Sequence, residues 1–287
     1  MQQTMQSKRL LPSAIRKTLL RIAQHNVGKS AAALTYFLLF AMFPLLIFVS
    51  NLLGLLDLNV VSICHVLSPV MPNEVLELLE AYLIHVTENS SPAMLWFSLV
   101  FTVWFPMQAV GQLMDDVRLA YQLDKPEKPI AYAIRQFLFT LVFLVIILVT
   151  FLIAVLGRRF VSTVTGWLGL TQLLQIPLAL LNLWQYLRFV LLAVIMFAVL
   201  GLLYAVSQDR RQPAKAILPG VAVALAAWLL VSIGFSMYVE NFAHYSAIYG
   251  ALGAVIVLLI WLYMTSFILI LGAEYNAALA EARSERS

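Results

Sequence analysis

The chain has a single cysteine, Cys64, among 287 residues, so it cannot close an internal disulfide and carries no covalent staple. Charge is almost as scarce. Only 11% of residues are Asp, Glu, Lys or Arg, against 62% apolar, and the mean hydropathy is +0.92, a balance that excludes an ordinary water-soluble domain. The motifs of soluble catalysis are missing too. The sequence holds no P-loop and no G-x-S-x-G, and its four histidines, His25, His65, His85 and His244, fall in no H-x-x-x-H pattern. A metal hydrolase would lack its ligands, so neither metal nor cofactor is expected and the chain reads as a non-enzyme. The first 29 residues also lack the basic start, apolar core and small-residue cleavage site of a secretory signal, so the first span should be retained.

What the chain has is long apolar runs. The twenty-seven residues Ala247–Ala273 are uncharged, enough to cross a hydrocarbon core of roughly 30 Å. Comparable runs cover 31–56, 93–114, 130–157, 189–206 and 216–239, which predicts an all-α, polytopic membrane protein with six transmembrane helices. The expected divisions are a cytoplasmic basic amphipathic segment over 1–30, a membrane domain over 31–277 and a cytoplasmic tail over 278–287. An uncharged stretch at 160–187 contains Gly166, Gly169, Pro177 and Asn182 and is read as interfacial or re-entrant. Counting it as a seventh span would put the basic turns on either side of it on opposite faces.

Orientation follows from the placement of Lys and Arg. With both termini inside, fifteen basic residues lie on the inner side and only Arg158, Arg159 and Arg188 outside, while the outer segment 57–92 holds Asp57, Glu74, Glu77, Glu80 and Glu88 and no basic residue. The net charge of +4 therefore reflects topology, and the inner loops are too short to build a nucleic-acid site. Residues 9–25 read as a basic amphipathic helix with Leu11, Ile15, Thr18, Leu19 and Ile22 on one face and Arg16, Lys17, Arg21 and Gln24 on the other. Such a helix either lies on the anionic headgroups of the inner leaflet or simply sets topology.

Ionisable groups near the bilayer are the natural functional candidates, because stripping them of water costs several kcal/mol unless they are paired or wet. These are Glu274 in the last turn of span 6, Asp115 and Asp116 at the end of span 2, and Arg188 at the start of span 4. Each is either a charge that has reached the headgroups or part of a substrate pathway, with Glu274 and the Asp pair at an inner mouth facing Arg118 or Arg135. Pro44 and Pro106 interrupt spans 1 and 2 as hinge or packing kinks. Ser246, Gly250 and Ala254 form a small-residue seam expected at the start of span 6, and Gly220, Ala224 and Ala227 another in span 5, suited to close helix packing. A short outer turn is expected around 240–245.

The runs LTYFLLFAMFPLL in span 1 and YGALGAVIVLLIWLYMTSFILILGAEYNA in span 6 resemble the YihY/BrkB family of bacterial inner-membrane proteins. The resemblance covers nearly the whole chain and points to Tyr36, Pro44, Tyr249, Gly250, Trp261, Gly272, Ala273 and Glu274, without giving any of them a catalytic role. The chain differs from the family pattern at Ala41, where a serine is common, and near Asp116, where an asparagine follows span 2. The resemblance implies a multi-pass protein of the bacterial cytoplasmic membrane. Family names imply a link to virulence or serum resistance, and an older ribonuclease BN label finds no support in these residues. Transport or translocation of a lipid or an anionic metabolite is the expected function; a non-transporting envelope scaffold is the main rival and a membrane-embedded enzyme the third reading.

Overall fold

A computed structural model describes residues 14–55, 76, 80, 81, 84, 92–124, 126, 128–167, 193–208, 213–249 and 251–285. Apart from turns, the longer described segments are all helical, as apolar membrane-crossing sequence must be when no water is present to satisfy backbone N–H and C=O groups. We number the helices α1 (residues 14–24), α2 (Val27–Leu55), α3 (Pro92–Ala120), α4 (Pro129–Trp167), α5 (Ala193–Val206), α6 (Ala214–Tyr249) and α7 (Ala251–Ser284). Five of them, α2, α3, α4, α6 and α7, contain apolar stretches long enough to cross a membrane, and α5 is a shorter apolar helix. This is a polytopic, all-helical membrane protein. The predicted start of span 4, at 189–192, lies outside the described residues.

Several boundaries differ from those expected. Asp115, Asp116 and Arg118 fall in the last turns of α3, at the expected end of span 2. The helix continues through them to Ala120, because Asp116 and Arg118 are buried against neighbouring helices that supply partners. Helix α4 runs past Arg158 and Arg159 to Trp167, so residues 160–167 of the segment expected to be interfacial prolong a helix; 168–187 lie outside the described residues. The turn expected around 240–245 is also helical. ENFAHYSAIY contains neither Gly nor Pro, so α6 continues to Tyr249 before α7 begins at Ala251. The expected Ser246-Gly250-Ala254 seam is therefore not a face of one helix. Ser246 belongs to α6, Ala254 to α7, and Gly250 lies outside the described residues. Helix α7 extends to Ser284.

The chain forms two compact units. One comprises the described parts of Met1–Phe43, Trp104–Thr140 and Val199–Ser287, and the other those of Pro44–Val103 and Leu141–Ala198. Pro44 lies inside α2 in the second unit and Pro106 inside α3 in the first. The second unit has an outward aromatic face on α3, where Phe97 and Phe101 stack at 4.4 Å beside exposed Trp96 and Val100. The large apolar side chains that α4 and α6 leave uncovered, such as Ile130, Val142, Leu230 and Ile233, need no water-excluding partner when lipid is the solvent.

The first unit holds the closest helix contact, between α6 and α7. A side chain at Gly220 would come within 2.1 Å of the Gly272 carbonyl oxygen, and one at Gly272 within 2.8 Å of both the Gly220 oxygen and Ala224 Cβ. The two backbones meet because both positions lack a Cβ. Gly220 and Ala224 thus pack against Gly272. Asn276 then joins the helices: its Oδ1 accepts from Gly220 N–H at 2.6 Å and its Nδ2 donates to the Ile217 carbonyl at 2.7 Å.

Candidate functional site

At one end of the first unit, polar groups are buried in quantity, and their placement starts with a turn. Asn26 adopts φ 52°, a left-handed conformation that asparagine tolerates better than most residues, and its carbonyl accepts from Lys29 N–H at 2.8 Å. This turn folds α1 back from the start of α2 and carries Arg21 and His25 onto the C-terminal half of α7. Ala14, Thr18 and Arg21 form the buried stripe of α1, and Ala14 packs with Tyr275 and Leu279.

The face that docks joins Thr18, from the expected apolar face, to Arg21, from the expected basic one. Arg21 is buried, whereas Ile15, Leu19 and Leu20 point outward at 53%, 64% and 54% exposure. The reason lies in the partners. Arg21 donates from Nη1 to the Ala120 carbonyl at the end of α3 and from Nη2 to Glu281 Oε2, both at 2.7 Å. Lys17 Nζ reaches Glu281 Oε1 at 2.8 Å and Glu285 Oε1 at 2.6 Å. Four charged side chains on two helices neutralise one another, and the apolar face of α1 is left to the surroundings.

Glu274 stands at the centre of this arrangement and is only 1% exposed. Its Oε1 lies 2.6 Å from His25 Nδ1, and its Oε2 lies 3.7 Å from Arg21 Nη1 without accepting a hydrogen bond. Neither Arg118 nor Arg135 is its partner, as the sequence suggested; its partners are Arg21 of α1 and His25 of the turn after it. Asp116 on α3 is buried too, held by Gln112 Nε2, which donates to its carboxylate at 3.2 Å. A solvent-separated headgroup anchor would not be buried this deeply. An ionised carboxylate at such a position costs several kcal/mol unless neighbouring charge compensates it, and here the compensation is shared and incomplete.

The other candidate residues sit in a neighbouring polar layer. Asp115 Oδ1 accepts from the Tyr132 hydroxyl at 2.8 Å, and the Tyr132 ring lies between the guanidinium groups of Arg118 and Arg135, 5.4 and 5.7 Å from its centroid. Both arginines also bind the end of α5. Arg118 donates to the Ser207 carbonyl and Arg135 to those of Val206 and Gln208, acceptors at the end of α5, and Arg118 also donates to the Asp124 carbonyl in the loop after α3. Arg188, Cys64, His65 and His85 lie outside the described residues, as do the side chains of Ser246 and His244. The structure therefore pairs Asp115 with Tyr132 and joins Glu274 to Arg21 and His25. Their signal in the sequence was only that both fall on a basic segment a turn or two from a span.

Comparison with known proteins gives a consistent picture. The family model described as Virulence factor BrkB matches residues 18–287. Ribonuclease-like YfkH of Bacillus subtilis is 28% identical over 267 residues, 93% of this chain and 95% of the relative. A UPF0761 membrane protein of Alteromonas mediterranea is 40% identical over 82 residues, 29% of this chain and 28% of its own length, and one of Yersinia pestis is 41% identical over 85 residues, 30% and 29%. No solved structure matches. A helical membrane bundle of this length, matched from the middle of α1 to its last residue, belongs to the Virulence factor BrkB family.

Proposed function

We propose that this protein transports or translocates a lipid or an anionic metabolite across a bacterial cytoplasmic membrane, with six spans and both termini cytoplasmic. The observation that supports transport is the burial of Glu274 in an apolar helix, with its partners Arg21 and His25 supplied by a separate short helix and the turn after it. A carboxylate held at that cost is better suited to binding and release than to static packing. The distribution of Lys and Arg supports the orientation. Anionic lipid headgroups are the expected partners of α1, whose exposed Ile15, Leu19 and Leu20 lie beside exposed Arg16. No nucleic-acid partner is part of this reading.

We propose no catalytic role. The ribonuclease-like wording belongs to the Bacillus subtilis relative, and among the described residues no three His, Cys, Asp or Glu side chains gather as a metal set. The scaffold alternative is favoured by one observation, the Gly220–Gly272 backbone contact, which suits a rigid helix pair.

The deciding experiment is reconstitution into liposomes, with dye-labelled anionic phospholipids assayed for exposure to a membrane-impermeant quencher. Anionic metabolites selected by ligand-induced thermal shift are assayed for uptake alongside. Wild type should show flux that Glu274→Gln abolishes while remaining folded. A folded wild-type protein that moves neither class of probe would overturn transport in favour of the scaffold.

A further inference from the structure

Glu274 and His25 are separated by 249 positions in sequence and by 2.6 Å in space, a distance at which a carboxylate oxygen and an imidazole nitrogen share a proton. The pair is asymmetric. The Glu274 side chain is 1% exposed, while that of His25 is 14% exposed and sits in the turn between α1 and α2. The second oxygen of Glu274 is buried, accepts no hydrogen bond and faces Arg21 at 3.7 Å. The titratable and charged groups around it are Arg21 and His25 on the α1 side, Asp116 on α3, and further along α7 Glu281, which takes most of the Arg21 interaction at 2.7 Å. The buried Glu274 thus shares one arginine with the exposed Glu281, which holds it at the shorter distance.

We propose that His25 and Glu274 form a proton-binding site, with His25 as the water-facing port and Glu274 as the buried acceptor. In the step we infer, His25 takes a proton from water at Nε2 and passes the one on Nδ1 to Glu274 Oε1. The N–H bond breaks as the O–H bond forms, the ring ends neutral, and the site gains one positive charge. The neutral carboxyl no longer attracts Arg21, which keeps Glu281 and the Ala120 carbonyl. Proton occupancy is thereby linked to how firmly α1 is held against α7. This holds whether or not the protein transports anything.

Infrared difference spectroscopy of the full-length protein in liposomes, stepped from alkaline to acid pH, tests the site directly. The expected result is the appearance of a protonated-carboxyl C=O band that is absent in Glu274→Gln and retained in Asp115→Asn. In His25→Gln the band should shift in frequency, because the carboxyl has lost its imidazole partner; this variant serves if Glu274→Gln fails to fold. Absence of the band in wild type, persistence in Glu274→Gln, or an unshifted band in His25→Gln would each overturn the proposal. Because the measurement reads protons, lack of flux in the transport assay leaves it standing.

Discussion

Arg21 Nη1 stands 2.7 Å from the carbonyl of Ala120 and 3.7 Å from the carboxylate of Glu274, so one guanidinium ties the end of α3 to α7. Removing it should be costly. Arg21→Met leaves Glu274 buried with only His25 for compensation, and loss of one partner of a buried ion pair typically destabilises by about 3–5 kcal/mol. Thermal unfolding in detergent should show Arg21→Met well below wild type, and the double variant Arg21→Met/Glu274→Leu should recover part of the loss. No recovery would mean that Arg21 acts through Ala120 and Glu281 alone.

The α6–α7 contact predicts a contrast between glycines. Gly272→Ala would place Cβ at 2.5 Å from the Tyr204 hydroxyl and 2.8 Å from Ala224 Cβ and the Gly220 oxygen, and should cost about 1–3 kcal/mol through overpacking. Gly234, on the same α6 helix, has nothing within 4 Å of the point where a Cβ would stand, so Gly234→Ala should be neutral or gain about 0.5–1 kcal/mol in helix propensity. Equal melting temperatures for the two variants would remove the close contact from the account.

Asn26 makes a backbone prediction. At φ 52°, Asn26→Gly should fold as well as wild type, whereas Asn26→Val should lose about 1–2 kcal/mol and loosen α1. Limited proteolysis within α1 is the readout. Indistinguishable cleavage of the two variants would show that the turn does not hold the helix.

Lys17 gives a pH dependence with a defined sign. Its hydrogen bonds to Glu281 and Glu285 raise the ammonium above its usual value of 10.5. Its contribution is therefore fully present below that value and lost as pH rises through the raised one. Lys17→Gln should flatten the alkaline fall in melting temperature, and high salt should narrow the difference, since both partners are exposed enough to be screened. An alkaline profile identical in the two proteins would leave this pair without measurable weight.

The spans were legible because uncharged runs of this length have few alternatives to a membrane helix, and Glu274 stood out as a carboxylate next to one of them. Its partners were not legible. Patterning assigned Arg21 to a solvent or headgroup face, since an arginine on a short amphipathic helix ordinarily belongs there. Only the approach of Glu274, Glu281 and the Ala120 carbonyl from distant parts of the chain reverses that preference. The close-packing seam was half legible. Gly220 and Ala224 were marked by their spacing, but Gly272, their partner, has no small residue four positions away to signal it except within the run that resembles the family. Helix ends were misplaced where polar residues follow an apolar run, because polarity closes a membrane span without stopping a helix.

The docking of α1 on α7 also imposes an order on biosynthesis. Arg21 and His25 leave the ribosome about 250 residues before Glu274 and Glu281, a delay of roughly 10–50 s at about 5–20 residues per second. Through that interval the basic stripe of α1 has no carboxylates from α7 to receive it. Helix α1 takes its seat only after α7 has been made, so its docking reports that α7 is in place.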